Sequence, residues 1–209
     1  AINVAVGALA GDAVSSGKYH TLIGYQAGSA LTSNDSCVAL GHEALVAATG
    51  NSNTAIGAGA MTGACTGSGN VAIGASALAS AGNSESNNVA VGISALAGLA
   101  HNDGDYNIGI GRDAGRYYED TATQGSASPD GNNSAGANSI FIGYDTRASE
   151  SDRSNEIIIG HTAVGNGSNT ITLGNDDVSA IHCNDTSIAA LSDRRIKRDI
   201  TDNNVGLDF

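Results

Sequence analysis

The sequence predicts an all-β fold, a parallel β-solenoid with 16–17 residues per coil. Three observations carry that prediction. A short phrase recurs at a near-constant period, its apolar positions alternate as strand residues do, and the composition is too small-sided for an ordinary globule. Glycine (29) and alanine (34) together supply 63 of the 209 residues, tryptophan is absent and proline occurs once. Such a chain has few large side chains with which to fill a conventional core. At 14% charged residues it is no charge-driven disordered chain either. Collagen is excluded, because glycine is not at every third position and proline is almost missing.

The repeat is clearest in Asn3-Val-Ala-Val-Gly7, Asn53-Thr-Ala-Ile-Gly57, Asn70-Val-Ala-Ile-Gly74 and Asn88-Val-Ala-Val-Gly92, with looser copies ending at Gly24, Gly41, Gly111, Gly143, Gly160 and Gly174. The spacings are 17, 17, 16, 17, 18, 19, 32, 17 and 14 residues, so the 32 reads as two periods with one turn replaced or disguised.

Each position of the phrase has a structural meaning. One residue before the glycine stand Val6, Ile23, Leu40, Ile56, Ile73, Val91, Ile110, Ile142, Ile159 and Leu173. Three before it every copy is β-branched, from Val4 and Thr21 to Ile157 and Ile171. Residues two apart on a strand share a face, so both columns are expected to point into the core of the roll. Between them lies alanine in five copies: Ala5, Ala39, Ala55, Ala72 and Ala90. A small residue on the opposite face suggests close approach of another backbone, which makes these alanines the expected interface between chains. Alanine recurs three residues after the glycine in eight copies, followed in five by Leu45, Met61, Leu78, Leu96 or Val164. This reads as a second short strand beyond a glycine corner. Helix is excluded by the alternation and by glycine or asparagine every 8 residues or so. One thin coil cannot bury its own faces, so lateral association in a small closed ring is expected.

The phrase N-[VT]-A-[IV]-G-x-x-A-L resembles the head repeat of YadA-type trimeric adhesins, which recurs in phage tail fibres; the resemblance spans residues 3–174. It implies a left-handed parallel β-roll and a homotrimer with the rolls side by side. The family's coil is usually shorter than this one.

Residues 117–138 hold Pro129 and many Gly, Ser and Asn, and are expected to form a loop inserted in the solenoid. Tyr117 and Tyr118 beside it are candidates for receptor binding, with a solvated insertion as the plainer reading. Residues 175–191 form a transition stem. From Leu191 the sequence runs Ser192-Asp-Arg-Arg-Ile-Lys197-Arg198 and contains four of the nine basic residues. With the trailing Asn204-Val-Gly-Leu-Asp-Phe209, this resembles the start of the intramolecular chaperone of phage tail spikes, fibres and endosialidases. That resemblance implies trimerisation followed by self-cleavage between Leu191 and Ser192, with Ser192 as nucleophile and Lys197 as base. Arg194, Arg195 and Arg198 would favour the deprotonated lysine that such a base needs. The plainer reading of residues 192–209 is a short helix capped by Ser192 or Asp193.

The charge of −12 lies wholly in residues 1–191, which hold 17 acids and 5 bases. It disfavours nucleic acid and anionic membrane as partners. No apolar run is long enough for membrane insertion and no signal core is recognisable. Cys37, Cys65 and Cys183 make no disulfide framework or zinc pattern and read as small apolar residues. Asp103-Gly-Asp105 and Asn175-Asp-Asp177 match no calcium loop and read as turn caps, so neither metal nor other cofactor is expected. The five histidines, His20, His42, His101, His161 and His182, suggest no shared site, and Glu119 and Asp120 no glycosidase pocket.

Together these features describe a structural and receptor-binding segment of a trimeric phage tail fibre or similar particle, extracellular on the virion, recognising a cell-surface receptor with glycans as the expected class. A secreted bacterial trimeric adhesin and a glycan-degrading tail spike are the alternatives.

Overall fold

The computed structural model of the chain describes residues 2–79, 84–99, 104–119, 127–132, 136–150 and 153–180. The chain divides into two units, residues 1–178 and 179–209, and the whole repeat array belongs to the first.

Ten three-residue strands form one parallel sheet: β1 (Val4–Val6), β2 (Thr21–Ile23), β3 (Val38–Leu40), β4 (Thr54–Ile56), β5 (Val71–Ile73), β6 (Val89–Val91), β7 (Ile108–Ile110), β10 (Ile140–Ile142), β11 (Ile157–Ile159) and β12 (Ile171–Leu173). Each strand pairs in parallel with the next in this order, and equivalent phrase positions lie opposite each other, as in Thr54↔Val71, Ala55↔Ala72 and Ile56↔Ile73. The predicted parallel β-solenoid is therefore present, and the repeat alignment coincides with the strand register. No helix occurs among the described residues. The predicted C-terminal helix, Ser192 and Lys197 lie outside them.

Strand and repeat coincide because the phrase places a β-branched residue on each side of a small one and ends in glycine. At Gly41 φ is +143°, and a Cβ there would sit 2.5 Å from the carbonyl oxygen of Gly57 in the next coil. Only a residue without a side chain permits that stacking distance. Glycine therefore ends every strand at the same corner of the coil.

The expected second strand is not formed. The residues after the glycine are turns, in which the second position is left-handed: Gln26 (φ 53°), Glu43 (φ 56°), Ser76 (φ 56°) and Asp113 (φ 56°). Leu45, Met61, Leu78 and Leu96 are left-handed as well, two residues further on. Strand pairing demands φ near −120°, so a column held at positive φ cannot join a second sheet. Its backbone instead hydrogen-bonds coil to coil, as in Leu45 N–H to the carbonyl of Ala60 (2.9 Å) and Met61 N–H to that of Ala77 (2.9 Å).

The long 117–138 interval also differs from expectation. β7 and β10 are direct neighbours, Ile108 opposite Ile140, so no coil is missing or disguised between them. The extra residues are an insertion within one coil, containing an antiparallel pair of β8 (Tyr117–Glu119) and β9 (Ala127–Asn132) rather than a plain loop.

The two faces of the sheet are reversed from the sequence-based expectation. The middle residue of each strand points into the roll: Ala39, Ala55, Ala72 and Ala90 are wholly buried, as are Leu22, Phe141 and Ile158 in the same column. The alanines are thus core, not an interface between chains; Ala5, on the edge strand β1, is exposed. The columns expected to be core face outward. Val6, Ile23, Ile73 and Ile159 are exposed, and Ile56, Val91 and Ile142 are only half-buried. The interior is too narrow for two large layers. Across from the alanines it is filled by Leu45, Met61, Leu78 and Leu96, all wholly buried. Where the strand supplies a large residue, the turn gives way. A Cβ on Gly28 would meet Leu22 Cδ2 at 2.7 Å, and one on Gly115 would meet Phe141 Cδ2 at 2.7 Å. In the coils of β2 to β6 a large residue is paired with a small one, as close packing in a coil of fixed width requires.

Candidate functional site

With the alanines inside, the molecule's outstanding surface is the outer face of the ten-stranded sheet. Two columns, one and three residues before each glycine, give it twenty positions, of which eighteen are Val, Ile or Leu and two are Thr21 and Thr54. At about 4.8 Å between strands, nine intervals make a strip roughly 43 Å long. Exposure persists along it, from Val4 and Val6 through Ile23, Ile73, Ile110 and Ile159 to Ile171 and Leu173. No charged residue interrupts either column. A continuous apolar strip of this extent is unusual on a monomer and marks an interaction surface. Its chemistry is that of association through shape and desolvation, the Thr21 and Thr54 hydroxyls being the polar groups within it.

Two polar rails hold the coils in register. The inner rail stands four residues before each glycine, where the phrase begins with asparagine. Asn53 Oδ1 accepts from Asn70 N–H (2.9 Å), Asn70 Oδ1 from Asn88 N–H (2.9 Å), Asn88 Oδ1 from Asn107 N–H (2.8 Å) and Asn107 Oδ1 from Ser139 N–H (2.9 Å). Their amide groups donate to backbone carbonyls, Asn53 to Gly67 (2.9 Å) and Asn70 to Glu85 (2.8 Å). These asparagines are buried, and the ladder leaves their backbone N–H groups satisfied. Elsewhere other residues take the rung: His20 Nδ1 accepts from Cys37 N–H (3.2 Å), and Ser139 Oγ accepts from Glu156 N–H (3.2 Å). The outer rail, two residues earlier in the coil, runs the opposite way. Lys18 N–H donates to Asp35 Oδ1 (2.8 Å), Asp35 N–H to Asn51 Oδ1 (2.9 Å), Asn51 N–H to Ser68 Oγ (3.0 Å) and Ser86 N–H to Asp105 Oδ1 (2.6 Å). Inner side chains reach forward to the next coil and outer ones reach back.

Neither rail is predicted by the sequence reading, although the recurring Asn at the head of the phrase is its visible trace. Two of the histidines also hold a shared position that the reading misses. His42 and His161 both follow the strand-ending glycine directly, and each stacks on a tyrosine one coil earlier, Tyr25 and Tyr144, with ring centroids 5.4 Å apart. These pairs lie on the corner of the coil.

Among the other expected sites, Tyr117 is half-buried with the Arg116 guanidinium 4.7 Å from its ring centroid. The side chain of Tyr118 is outside the described part, as are Asp103, Asp120, His101, His182 and Cys183. Asp105 belongs to the outer rail, and Asn175 Oδ1 accepts from Asp177 N–H (3.2 Å), so both serve as backbone caps. Cys37 and Cys65 are free and buried. Burial pushes the Cys65 thiol up to about 11 and raises Cys37 too, which leaves both as unreactive apolar groups at neutral pH. Among the described residues no group of three or more His, Cys, Asp or Glu is gathered to hold a metal, and no helix is long and apolar enough to cross a membrane.

Fold and surface together define a β-solenoid repeat protein with one bare apolar sheet face. No family model, curated protein or solved structure matches the chain.

Proposed function

We propose that this chain is a structural and receptor-binding segment of a trimeric fibre, of the kind that phage tails carry outside the cell, and that it attaches the particle to a cell-surface glycan. The observation that carries this reading is the uninterrupted Val/Ile/Leu strip. A roll with so many of its large apolar side chains turned outward gains its stability by pressing that strip against identical strips, and closed symmetry with the faces directed to a common axis leaves none of them wet. Each Val or Ile that becomes fully covered contributes about 1.5–3 kcal/mol. The proposed interface is thus formed by Val6, Ile23, Ile56, Ile73, Val91, Ile142 and Ile159 and their partners in the neighbouring column, while the alanines stay within each roll. The trimer's acidic exterior suits neutral or cationic ligands better than nucleic acid. Light scattering on native protein is expected to give about three times the 20.6 kDa chain mass. A stable folded monomer at micromolar concentration would remove the basis of this reading.

The C-terminal segment adds self-processing to the proposal, on the resemblance of residues 191–209 to an intramolecular chaperone. In a chain extended through such a chaperone, Ser192 Oγ, its proton taken by Lys197, attacks the Leu191 carbonyl. The Leu191–Ser192 C–N bond breaks as the Ser192 nitrogen leaves as the protonated amine, and water hydrolyses the resulting ester to a free Leu191 carboxylate. Mass spectrometry is expected to find a new N-terminus at Ser192, and none in Ser192→Ala or Lys197→Ala. Uncut wild-type trimers would leave Ser192 a helix cap.

A further inference from the structure

Glu156 occupies a rung of the inner rail where other coils place asparagine, and it is wholly buried. Its N–H donates to Ser139 Oγ (3.2 Å), as a rung should. Its Oε1 accepts from Gly167 N–H (2.9 Å) and from Ser149 Oγ (3.4 Å), which draws the turn after β11 and the segment before it onto one carboxyl oxygen. Oε2 is buried and has no hydrogen-bond partner. Ile158 and Gly165 pack around the group; a Cβ on Gly165 would lie 2.5 Å from Oε1. Among the described residues the one charged group acting on it is Arg153, whose own ion pair is with Glu150.

We propose that Glu156 is a proton-operated latch that closes the coil carrying β11 and β12 when uncharged and loosens it when ionised. An asparagine rung presents a neutral carbonyl and a neutral donor, and the interior is built to receive that. A carboxylate in the same place puts a full charge on an oxygen with no donor facing it. The neutral acid keeps Oε1 as an acceptor for both donors without that charge. Burial raises the carboxyl above its ordinary value of 4.5, and the Gly167 and Ser149 hydrogen bonds and Arg153 only partly offset this. The sign follows. The neutral form's contribution is complete below pH 4.5 and is lost as pH rises through the higher folded-state value.

The test is hydrogen exchange on the intact chain, corrected for intrinsic rates, from pH 5 to 8. Protection of the amides of Ile157–Ile159 and Ile171–Leu173 is expected to fall at least tenfold with rising pH. In Glu156→Gln, and in Glu156→Asn, which restores the residue of the other rungs, protection is expected to stay level. Glu85→Gln, at a second wholly buried glutamate, is expected to leave the fall at β11 and β12 in place. The Glu156 ¹³Cδ resonance is expected to titrate above the ordinary carboxyl value of 4.5, a readout that does not depend on any variant folding. Titration at or below that ordinary value, or the same loss of protection in Glu156→Gln as in wild type, would overturn the latch.

Discussion

Ala72→Arg is expected to abolish folding of the roll, while Ile73→Arg, one residue along the same strand, is expected to leave it folded and to abolish association. Ala72 is wholly buried and stacked between Ala55 and Ala90, so an arginine there has neither room nor a partner for its charge. Placing an unpaired charge in such a site costs several kcal/mol, comparable with the entire stability of a typical domain. Ile73 is 38% exposed and points away from the interior. In the isolated roll its replacement costs on the order of 1 kcal/mol. In a closed assembly the same charge is buried once per chain, at about 2–5 kcal/mol each. Circular dichroism reports the first effect and light scattering the second. A folded but dissociated Ala72→Arg protein would mean that the alanines form the interface after all.

Asn70→Ala is expected to destabilise the roll by about 2–5 kcal/mol. The side chain accepts from Asn88 N–H (2.9 Å) and donates to the carbonyl of Glu85 (2.8 Å), all within the buried rail. Truncation leaves the Asn88 N–H buried without an acceptor, at about 1–3 kcal/mol, and strips the Glu85 carbonyl of its stronger donor, leaving it the Cys65 thiol at 3.6 Å. Asn70→Ser is expected to cost less, because Ser139 already serves as a rung. On the outer rail, Ser68→Ala removes the acceptor for the exposed Asn51 N–H (3.0 Å), which water can replace, so a change of about 0.5 kcal/mol or less is expected. Denaturant unfolding of the three variants measures the difference. Equal losses on the two rails would show that burial of the asparagines is not what holds the coils together.

Both experiments probe features that the sequence displays without disclosing their meaning. The asparagine opening each phrase is visible, yet a turn residue and a buried rung look alike until the next coil's N–H is seen 2.9 Å from Asn53 Oδ1. His20 and Cys37 hold rungs with no asparagine at all, and nothing in their identity says so. The pairing of Leu22 with Gly28, and of Leu45 or Met61 with alanine, becomes legible only when the middle strand position is read against the position four after the glycine. Each column is conspicuous separately, whereas their volumes are matched only across the interior.

What the sequence alone determined was the period, the strand before each glycine, that strand-ending glycine and the parallel register, because each is local. A glycine whose Cβ would strike the next coil, flanked by β-branched residues at a fixed spacing, has few other conformations open to it. Alternation also showed that Val71 and Ile73 share one face and Ala72 takes the other. It could not show which face lies inside. General hydrophobicity favours the large residues as core, and the tertiary structure decides otherwise for a steric reason. Left-handed turns bring Leu78 and Leu96 back across a narrow coil, leaving beneath the strand only the space that an alanine fills. The larger side chains are thereby turned outward, where the roll by itself has nothing to cover them.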